Sequence, residues 1–389
     1  MSLAEGVDGS WAGLCAIAAA HADAVDRAAR FPAEAIAALR RHGALGAMVP
    51  AAFGGAGLGL GRIATMCRDL GSACGSTAMI FAMQQSQVAA LVAHHGAEPW
   101  QVGFLRRVAR ENLLLASVTS EEGIGGRLRM SRCAVEPAGP GRFALAKEGS
   151  TISYGADADA FLVTARRHAE ADPSDQVLVA LPASACRLEP YRGWDALGMR
   201  GTGSGAFRIA GEGEQGQIVP TPFGEIAARS MLPVAHILWG AAWLGIASDV
   251  VTRCRAFIRN RQRSKPGVAD PGLPRLGRIV DLLHGMDARL RQALRLHAVG
   301  RAEAGSVELM LLKTGLSDTA LEVALLGLQI CGIAGYRNDT PYSLGRHLRD
   351  LQSAPLMVGN EEIRGDAGRL SLMYRPQLGD FTDEDGAAA

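Results

Sequence analysis

The sequence predicts an α+β fold in three consecutive blocks, helical, β and helical, and three observations predict it. Apolar residues recur at helical spacing from Trp11 to about Leu115, shorten to strand-like runs from about Ala116 to Pro222, and return to helical spacing from about Gly224 to Met373. Glycine and proline punctuate the middle block every 8 to 20 residues, as strand-and-turn modules require. A chain of 389 residues is also too long for one ordinary core, and no fixed-period repeat points to a solenoid. The expected division is a helical domain at 1–115, a β domain at 116–222, a helical domain at 223–375 and an acidic tail at 376–389 with the composition of a disordered segment.

In the first block, Pro32–Arg41 and Thr77–His95 are alanine- and leucine-rich helices, and the glycines of Pro50–Gly59 mark a loop between helices. The expected strands are Leu114–Thr119, Ala158–Ala165, Gln176–Leu181 and Ala206–Ile209. The last block is expected to break at Ser264–Gly267 and again between Gly332 and Pro341. Its most apolar stretch, Leu238–Val251, is interrupted by Gly240 and Gly245 and is shorter than the roughly 20 residues a bilayer needs, so it reads as a buried helix.

Composition narrows the function classes. Forty basic residues stand against 39 acidic ones, which gives no electrostatic reason to expect nucleic acid or an anionic membrane as partner. Seven scattered cysteines without a CxxC pair fit a reduced, cytoplasmic chain without disulfides or a metal site. The start, MSLAEGVDGSWAG, lacks the basic and apolar regions of a secretory signal.

Five segments carry the candidate chemistry. The first runs from Leu39 and Gly43 to the turn Pro50-Ala-Ala-Phe53-Gly54-Gly55-Ala-Gly57-Leu58. The second, Ala116-Ser-Val118-Thr119-Ser120-Glu121-Glu122-Gly123-Ile124-Gly125-Gly126, is a strand entering a loop whose glycines let backbone approach a ligand closely. The third is Lys147-Glu-Gly-Ser-Thr151-Ile152-Ser153-Tyr154-Gly155. The fourth, Gly198-Met199-Arg200-Gly201-Thr202-Gly203-Ser204-Gly205, lacks the lysine and opening helix of a phosphate-binding P-loop. The fifth, Gln329-Ile330-Cys331-Gly332-Ile333-Ala334-Gly335-Tyr336, is followed thirteen residues on by Arg349-Asp350.

In this order and spacing the segments resemble the acyl-CoA dehydrogenase family across about residues 30–375. The resemblance implies an N-terminal helical domain, a middle β-barrel or sandwich and a C-terminal four-helix bundle. It also implies FAD as cofactor, with FMN as the alternative because the diphosphate contacts are the least intact part of the match. By resemblance, Val118 and Thr119 meet the pyrimidine edge of the flavin, where preorganised donors stabilise negative charge near N1. Ser153 falls at N5, Arg261, Gln329 and Gly332 at the diphosphate, and Ile152 and Asn360 on further cofactor contacts. A guanidinium suits the diphosphate because its fixed fork pairs two phosphate oxygens. The fifth segment reaches across a subunit interface in the family, which implies a homo-oligomer, dimer or tetramer. Gln84, Gln85, Gly125, Gly126, Arg127, Val358 and Gly359 fall near the substrate, with Gln87 and Arg129 as further candidates. Arg127 in place of an aspartate, Thr151 in place of a tryptophan and Ile333 in place of a glycine depart from the family pattern.

The largest departure is at the base. A dehydrogenase of this family removes the α-proton of its thioester with a glutamate in a glutamate-glycine-threonine turn, and here Val358-Gly359-Asn360 occupies that turn. Valine cannot accept a proton. The family's other base position, ten residues before a leucine-glycine pair, is Ala235; the adjacent His236 is turned about 100° away on a helix and reads as a core residue. The remaining candidates are Asn360, Glu361 and Glu362, although the two acids also suit the first turn of a helix capped by Asn360. Three functions therefore stand: an oxygenase in which reduced flavin reacts with O2 and needs no α-proton base, an acyl-CoA dehydrogenase with an unidentified base, and a non-catalytic flavin-binding scaffold. The oxygenase reading is preferred, on an acyl-CoA or related thioester substrate.

Overall fold

A computed structural model of the chain describes residues 3–125, 127–302 and 305–374. The acidic tail and Gly126 therefore lie outside the described residues. Five helices come first: α1 (Leu3–Ala28), α2 (Ala33–Arg41), α3 (Leu60–Ala73), α4 (Gly75–His94) and α5 (Pro99–Glu111). α4 is buried on nearly every face from Gly75 to Leu91, as expected of a helix that is apolar all round.

The middle block forms two sheets. One has strand order β1-β4-β5, with β1 (Leu115–Val118) parallel to β4 (Ala160–Arg166) and β4 antiparallel to β5 (Gln176–Pro182). The other is antiparallel, in order β2-β3-β7-β6: β2 (Glu136–Pro137), β3 (Arg142–Gly149), β7 (Ala206–Glu214) and β6 (Cys186–Arg192). The fully buried Lys147 on β3 crosses to β4, its ammonium 2.7 Å from the Thr164 carbonyl and 2.8 Å from the Thr164 hydroxyl, with Glu121 at 3.5 Å. These bonds offset the cost of burying the charge, and burial still holds the lysine below its ordinary pKa.

Strands β3 and β6 correct the sequence reading, which left both segments unassigned. β3 alternates cleanly in burial but places a lysine and a glycine on its inner face and alanines on its outer one, which hides the apolar pattern. β6 is a half-exposed edge strand that contains Pro190, a residue tolerated only at edges and bulges.

The last block opens with α6 (Phe223–Ile226), which continues through a π-helical turn at Ala227–Met231 into α7 (Leu232–Ser264). Then follow α8 (Leu273–Ala298), α9 (Val307–Cys331), α10 (Ile333–Tyr336), α11 (Gly345–Gln352) and α12 (Asn360–Ser371). α7, α8 and α9 pack on one another, and the short α12 lies on α9 as the fourth member of the bundle. The break between α8 and α9 was not expected, although Gly300 at φ +71° and the N-cap Ser306, which accepts from Leu309 N at 3.3 Å, mark it in the sequence.

The helix from Phe223 to Ser264 is long and apolar enough by length and composition to cross a membrane, yet 89% of its apolar window is buried inside the protein. It runs through the middle of the structure because Gly71 and Gly245 let α3 and α7 cross backbone to backbone. A methyl group on Gly245 would stand 2.0 Å from the Arg68 carbonyl, and one on Gly71 2.3 Å from that of Ala242.

Candidate functional site

Three of the five segments and the arginine-aspartate pair meet at one place. The Ser120 hydroxyl donates to the Thr151 carbonyl at 2.7 Å and accepts from Thr151 N at 3.1 Å, joining the second segment to the third. Ile152 N donates to Gly205 O at 2.8 Å and Tyr154 N to Thr202 O at 2.7 Å, joining the third to the fourth. Met199 N donates to the Asp350 carboxylate at 2.6 Å, joining the fourth to the arginine-aspartate pair. Gly198 is required at that junction, since a Cβ there would stand 2.0 Å from the Arg349 carbonyl. Arg349 itself pairs with Asp26 on α1, so this pair acts as a clamp on the turn at 198–202.

A directional chain of hydroxyls runs through the junction. Thr202 Oγ1 donates to the Met199 carbonyl at 2.9 Å, and a carbonyl can only accept. Thr202 has one proton, so at 2.7 Å it must accept from Ser204, and Ser204 in turn must accept from Ser153 at 2.8 Å. Ser153, half-buried at the end of the chain, is left with lone pairs to offer a ligand. Thr119 is half-buried too, and its hydroxyl has only a long contact, 3.4 Å, from Ser117. Val118 and Ile152 are core side chains, and the Ile152 amide is already committed to Gly205. Gly125, at φ +62°, faces open space, and the exposed Arg127 donates to the Ile124 carbonyl at 3.2 Å.

A second group gathers at the far end of the bundle. Arg261 is gripped by the buried Asp270 through Nε, at 2.7 Å, and one terminal nitrogen, which leaves the other terminal nitrogen for a ligand. Gln329 accepts from Arg275 at 3.2 Å, and Gly332 is at φ +55°. Ile333 and Tyr336 beside them are 73% and 72% exposed, an apolar surface that suits an oligomer contact. Among the described residues no hydrogen bond or ion pair links this group to the hydroxyl chain.

Val358 sits in a turn held from both sides by one buried lysine. Lys313 of α9 donates to the Ala354 carbonyl at 3.1 Å and to Asn360 Oδ1 at 2.7 Å, so it grips the chain before and after Val358. Burial lowers its pKa to about 8. Asn360 was expected to cap the helix. Instead Gly359 precedes α12, and the Asn360 side chain points inward, donating to Ser317 at 2.8 Å and Asp318 at 3.1 Å. Glu361 projects into solvent and pairs with Arg364 at 2.6 Å, and Glu362 is exposed as well. Sequence reasoning missed Lys313; a lone lysine on the apolar face of Leu309, Leu312 and Leu316 was the available signal.

Val358 has φ +52°, a left-handed conformation in which a β-branched residue is strained, and Gly359 follows at φ +29°. Val358→Gly should therefore raise stability by about 1 kcal/mol in chemical denaturation, strain relief exceeding the added chain entropy. A loss of stability would show that contacts of the valine side chain outweigh its strain.

The glutamines on α4 are committed elsewhere. Gln84 donates to the carbonyls of Leu45 and Leu113 and accepts from Leu115 N at 2.7 Å, so both ends of its amide bind backbone. Gln85 donates to Ala44 and Leu45 while its oxygen is buried without a partner, as is that of Gln87. Ala235 is buried on α7, and burial drives the pKa of His236 down to about 3, which keeps it neutral. A cavity of about 490 Å³ between α8 and α9, with leucine and alanine walls, reaches Asp318 and Arg364 beside the Asn360 network.

Comparison with known proteins gives these features a lineage. The chain matches the family models for the acyl-CoA dehydrogenase N-terminal domain over residues 15–112 and C-terminal domain over residues 224–369. It is 25% identical to cyclohex-1-ene-1-carbonyl-CoA dehydrogenase of Geobacter metallireducens, covering 87% of this chain and 89% of that one. It is 23% identical to dibenzothiophene monooxygenase of Rhodococcus qingshengii, covering 88% of each. Its fold is similar to that of FMN-bound TdsC from Paenibacillus sp. A11-2, with a TM-score of 0.84 at 21% identity over 97% of this chain and 100% of that one. The chain belongs to the acyl-CoA dehydrogenase family, whose relatives include both dehydrogenases and oxygenases.

Proposed function

We propose that this protein is a flavin-dependent oxygenase acting on an acyl-CoA or related thioester as a cytoplasmic homo-oligomer, with FAD as cofactor and FMN as the alternative. The observation that carries the reading is the turn at Val358, which has no proton acceptor while Ala235 leaves the second base position apolar. The similarity to dibenzothiophene monooxygenase supports it. A bound reduced flavin would supply the electrons that activate O2, chemistry that asks for no α-proton base. Thr119 and Ser153 would hold the ring, Arg261, Gln329 and Gly332 the phosphates, and Gly125 and Arg127 would border the substrate. The residues fit such a group: hydroxyls with free lone pairs at one end and a guanidinium preset by Asp270 at the other.

The deciding experiment mixes the flavin-loaded protein anaerobically with a panel of acyl-CoA thioesters. No bleaching, followed by substrate-dependent O2 uptake once the flavin is reduced externally, is the expected result. Bleaching by substrate alone would establish the second reading, a dehydrogenase with a base elsewhere, which the cyclohex-1-ene-1-carbonyl-CoA dehydrogenase relative favours. Failure to bind flavin at all would leave a scaffold.

The hydroxyl chain adds a test of the flavin contact. With its proton committed to Ser204, Ser153 accepts, and so favours a reduced flavin that presents an N–H over an oxidised one that does not. Ser204→Ala frees that proton, and the flavin midpoint potential should fall by roughly 30 mV, the equivalent of one modest hydrogen bond in a two-electron couple. An unchanged potential would remove Ser153 from the ring contacts.

A further inference from the structure

A small polar cavity lies between the end of α1, α7 and the loop leading into α11, lined in part by residues between the fifth segment and its arginine-aspartate pair. Its space of about 50 Å³ is several times what one water needs, and is enough for a tetrahedral oxyanion. Three guanidinium groups line it, Arg27, Arg253 and Arg346, together with His347 and one acid, Asp23.

Their charges are incompletely matched. Asp249 accepts from Arg253 at 2.8 Å and from His347 Nε2 at 2.7 Å, which accounts for Arg253. Arg346 has a side chain only 11% exposed, and its buried Nε makes no hydrogen bond; its ion pair is with Asp23, itself 73% exposed, whose oxygen stands 3.4 Å from that nitrogen, and Asp350 and Asp249 also act on the guanidinium. Arg27 has no hydrogen bond or ion pair with any described residue. With Asp249 set against Arg253 and Asp23 against Arg346, Arg27 is the guanidinium left without a partner, and the Arg346 Nε is a buried donor without a hydrogen bond, an arrangement that favours an anion.

His347 refines the choice of anion. A carboxylate only accepts, so Nε2 carries the proton that goes to Asp249, and burial keeps the ring neutral by lowering its pKa. Nδ1 is left as a bare lone pair, buried without a partner. A ligand that fits must accept from guanidinium groups and donate one hydrogen bond to Nδ1. Hydrogen phosphate does both. Sulfate has no proton to give, and a phosphate monoester is largely a dianion without one at neutral pH.

We propose that the pocket formed by Arg27, Arg253, Arg346 and His347 is a binding site for inorganic hydrogen phosphate. It is independent of the flavin reading, since none of its residues belongs to the segments assigned to flavin or substrate.

The test is calorimetric titration of the full-length, flavin-loaded protein with inorganic phosphate, sulfate, glycerol 3-phosphate and chloride at pH 7 and constant ionic strength. Phosphate should bind with one site per chain and at least about tenfold more tightly than sulfate or the ester. Arg27→Gln, an exposed position that leaves the interior intact, should weaken phosphate about tenfold, the loss of one charge-assisted hydrogen bond. Arg346→Gln should weaken it at least as much, while Arg187→Gln, an exposed arginine on β6, should leave it unchanged. Equal binding of sulfate would overturn the role of His347, and tighter binding of glycerol 3-phosphate would overturn the assignment to free phosphate. Absence of a phosphate-specific signal, or equal affinity in Arg27→Gln and wild type, would overturn the site.

Discussion

Val358→Glu is expected to turn the protein toward dehydrogenation: mixed anaerobically with acyl-CoA thioesters, the flavin of the variant should bleach at least about 10²-fold faster than that of wild type. A positioned general base contributes on the order of 10²–10⁴ to such a proton transfer, and the turn at Val358 is where the resemblance puts it. The backbone favours the substitution. At φ +52° an unbranched side chain is less strained than valine, and at 47% exposure Val358 leaves room for a longer one. The clamp that shapes the turn is untouched, because Lys313 binds the Ala354 carbonyl and the Asn360 side chain, not residue 358. Ala235→Glu is the instructive comparison. It would place a carboxylate at a position only 2% exposed within α7, where an unpaired charge costs several kcal/mol, so destabilisation should dominate any gain. A Val358→Glu protein that binds flavin and acyl-CoA yet stays inert would count against the alignment of this turn with the family's base.

What the sequence made legible was the set of close backbone approaches. Gly198 and the turn after it were readable because only glycine fits against the Arg349 carbonyl, and such residues leave a mark in the sequence. Side-chain partners from distant elements leave none. Arg261 looked like a free phosphate ligand until the structure supplied Asp270 from across the α7–α8 turn. Asn360 looked like a helix cap because its neighbours are acidic, but its real partners, Lys313, Ser317 and Asp318, come from α9 more than forty residues earlier. Gln84 and Gln85 stood out as polar residues in an apolar helix, and the backbone loops they satisfy, at 44–45 and 113–115, could not be read from that helix alone. The direction of the Ser153–Ser204–Thr202 chain likewise depends on which carbonyl ends it, a property of three-dimensional packing.

Asp350 carries the second large expectation, a stability difference that grows with pH. Its carboxylate is fully buried, accepts from Met199 N at 2.6 Å and lies close against Gly75. Burial raises its pKa from the ordinary 3.8 to about 6, against the opposing pull of Arg346 and Arg349 and with the added push of Asp26. Below about pH 4 the group is protonated whether the chain is folded or not. Between pH 4 and 6 the unfolded chain releases the proton while the folded one keeps it, so stability falls as pH rises and levels off above about pH 6. The loss corresponds to about 3 kcal/mol. Asp350→Asn removes the titration yet keeps an oxygen for Met199 N, so wild type should decline by about 3 kcal/mol relative to the variant between pH 4 and 7, as measured by denaturant titrations at each pH. Asp350→Ala should behave differently, because it leaves the buried Met199 N–H without an acceptor at a cost of about 1–3 kcal/mol at every pH. A wild type-minus-Asn difference that stays flat across this range would mean that Arg346 and Arg349 compensate the buried charge fully. Because Asp350 fixes the turn that ends the hydroxyl chain, the Asn variant also separates two roles: if the turn needs only an acceptor, flavin affinity should survive the loss of charge.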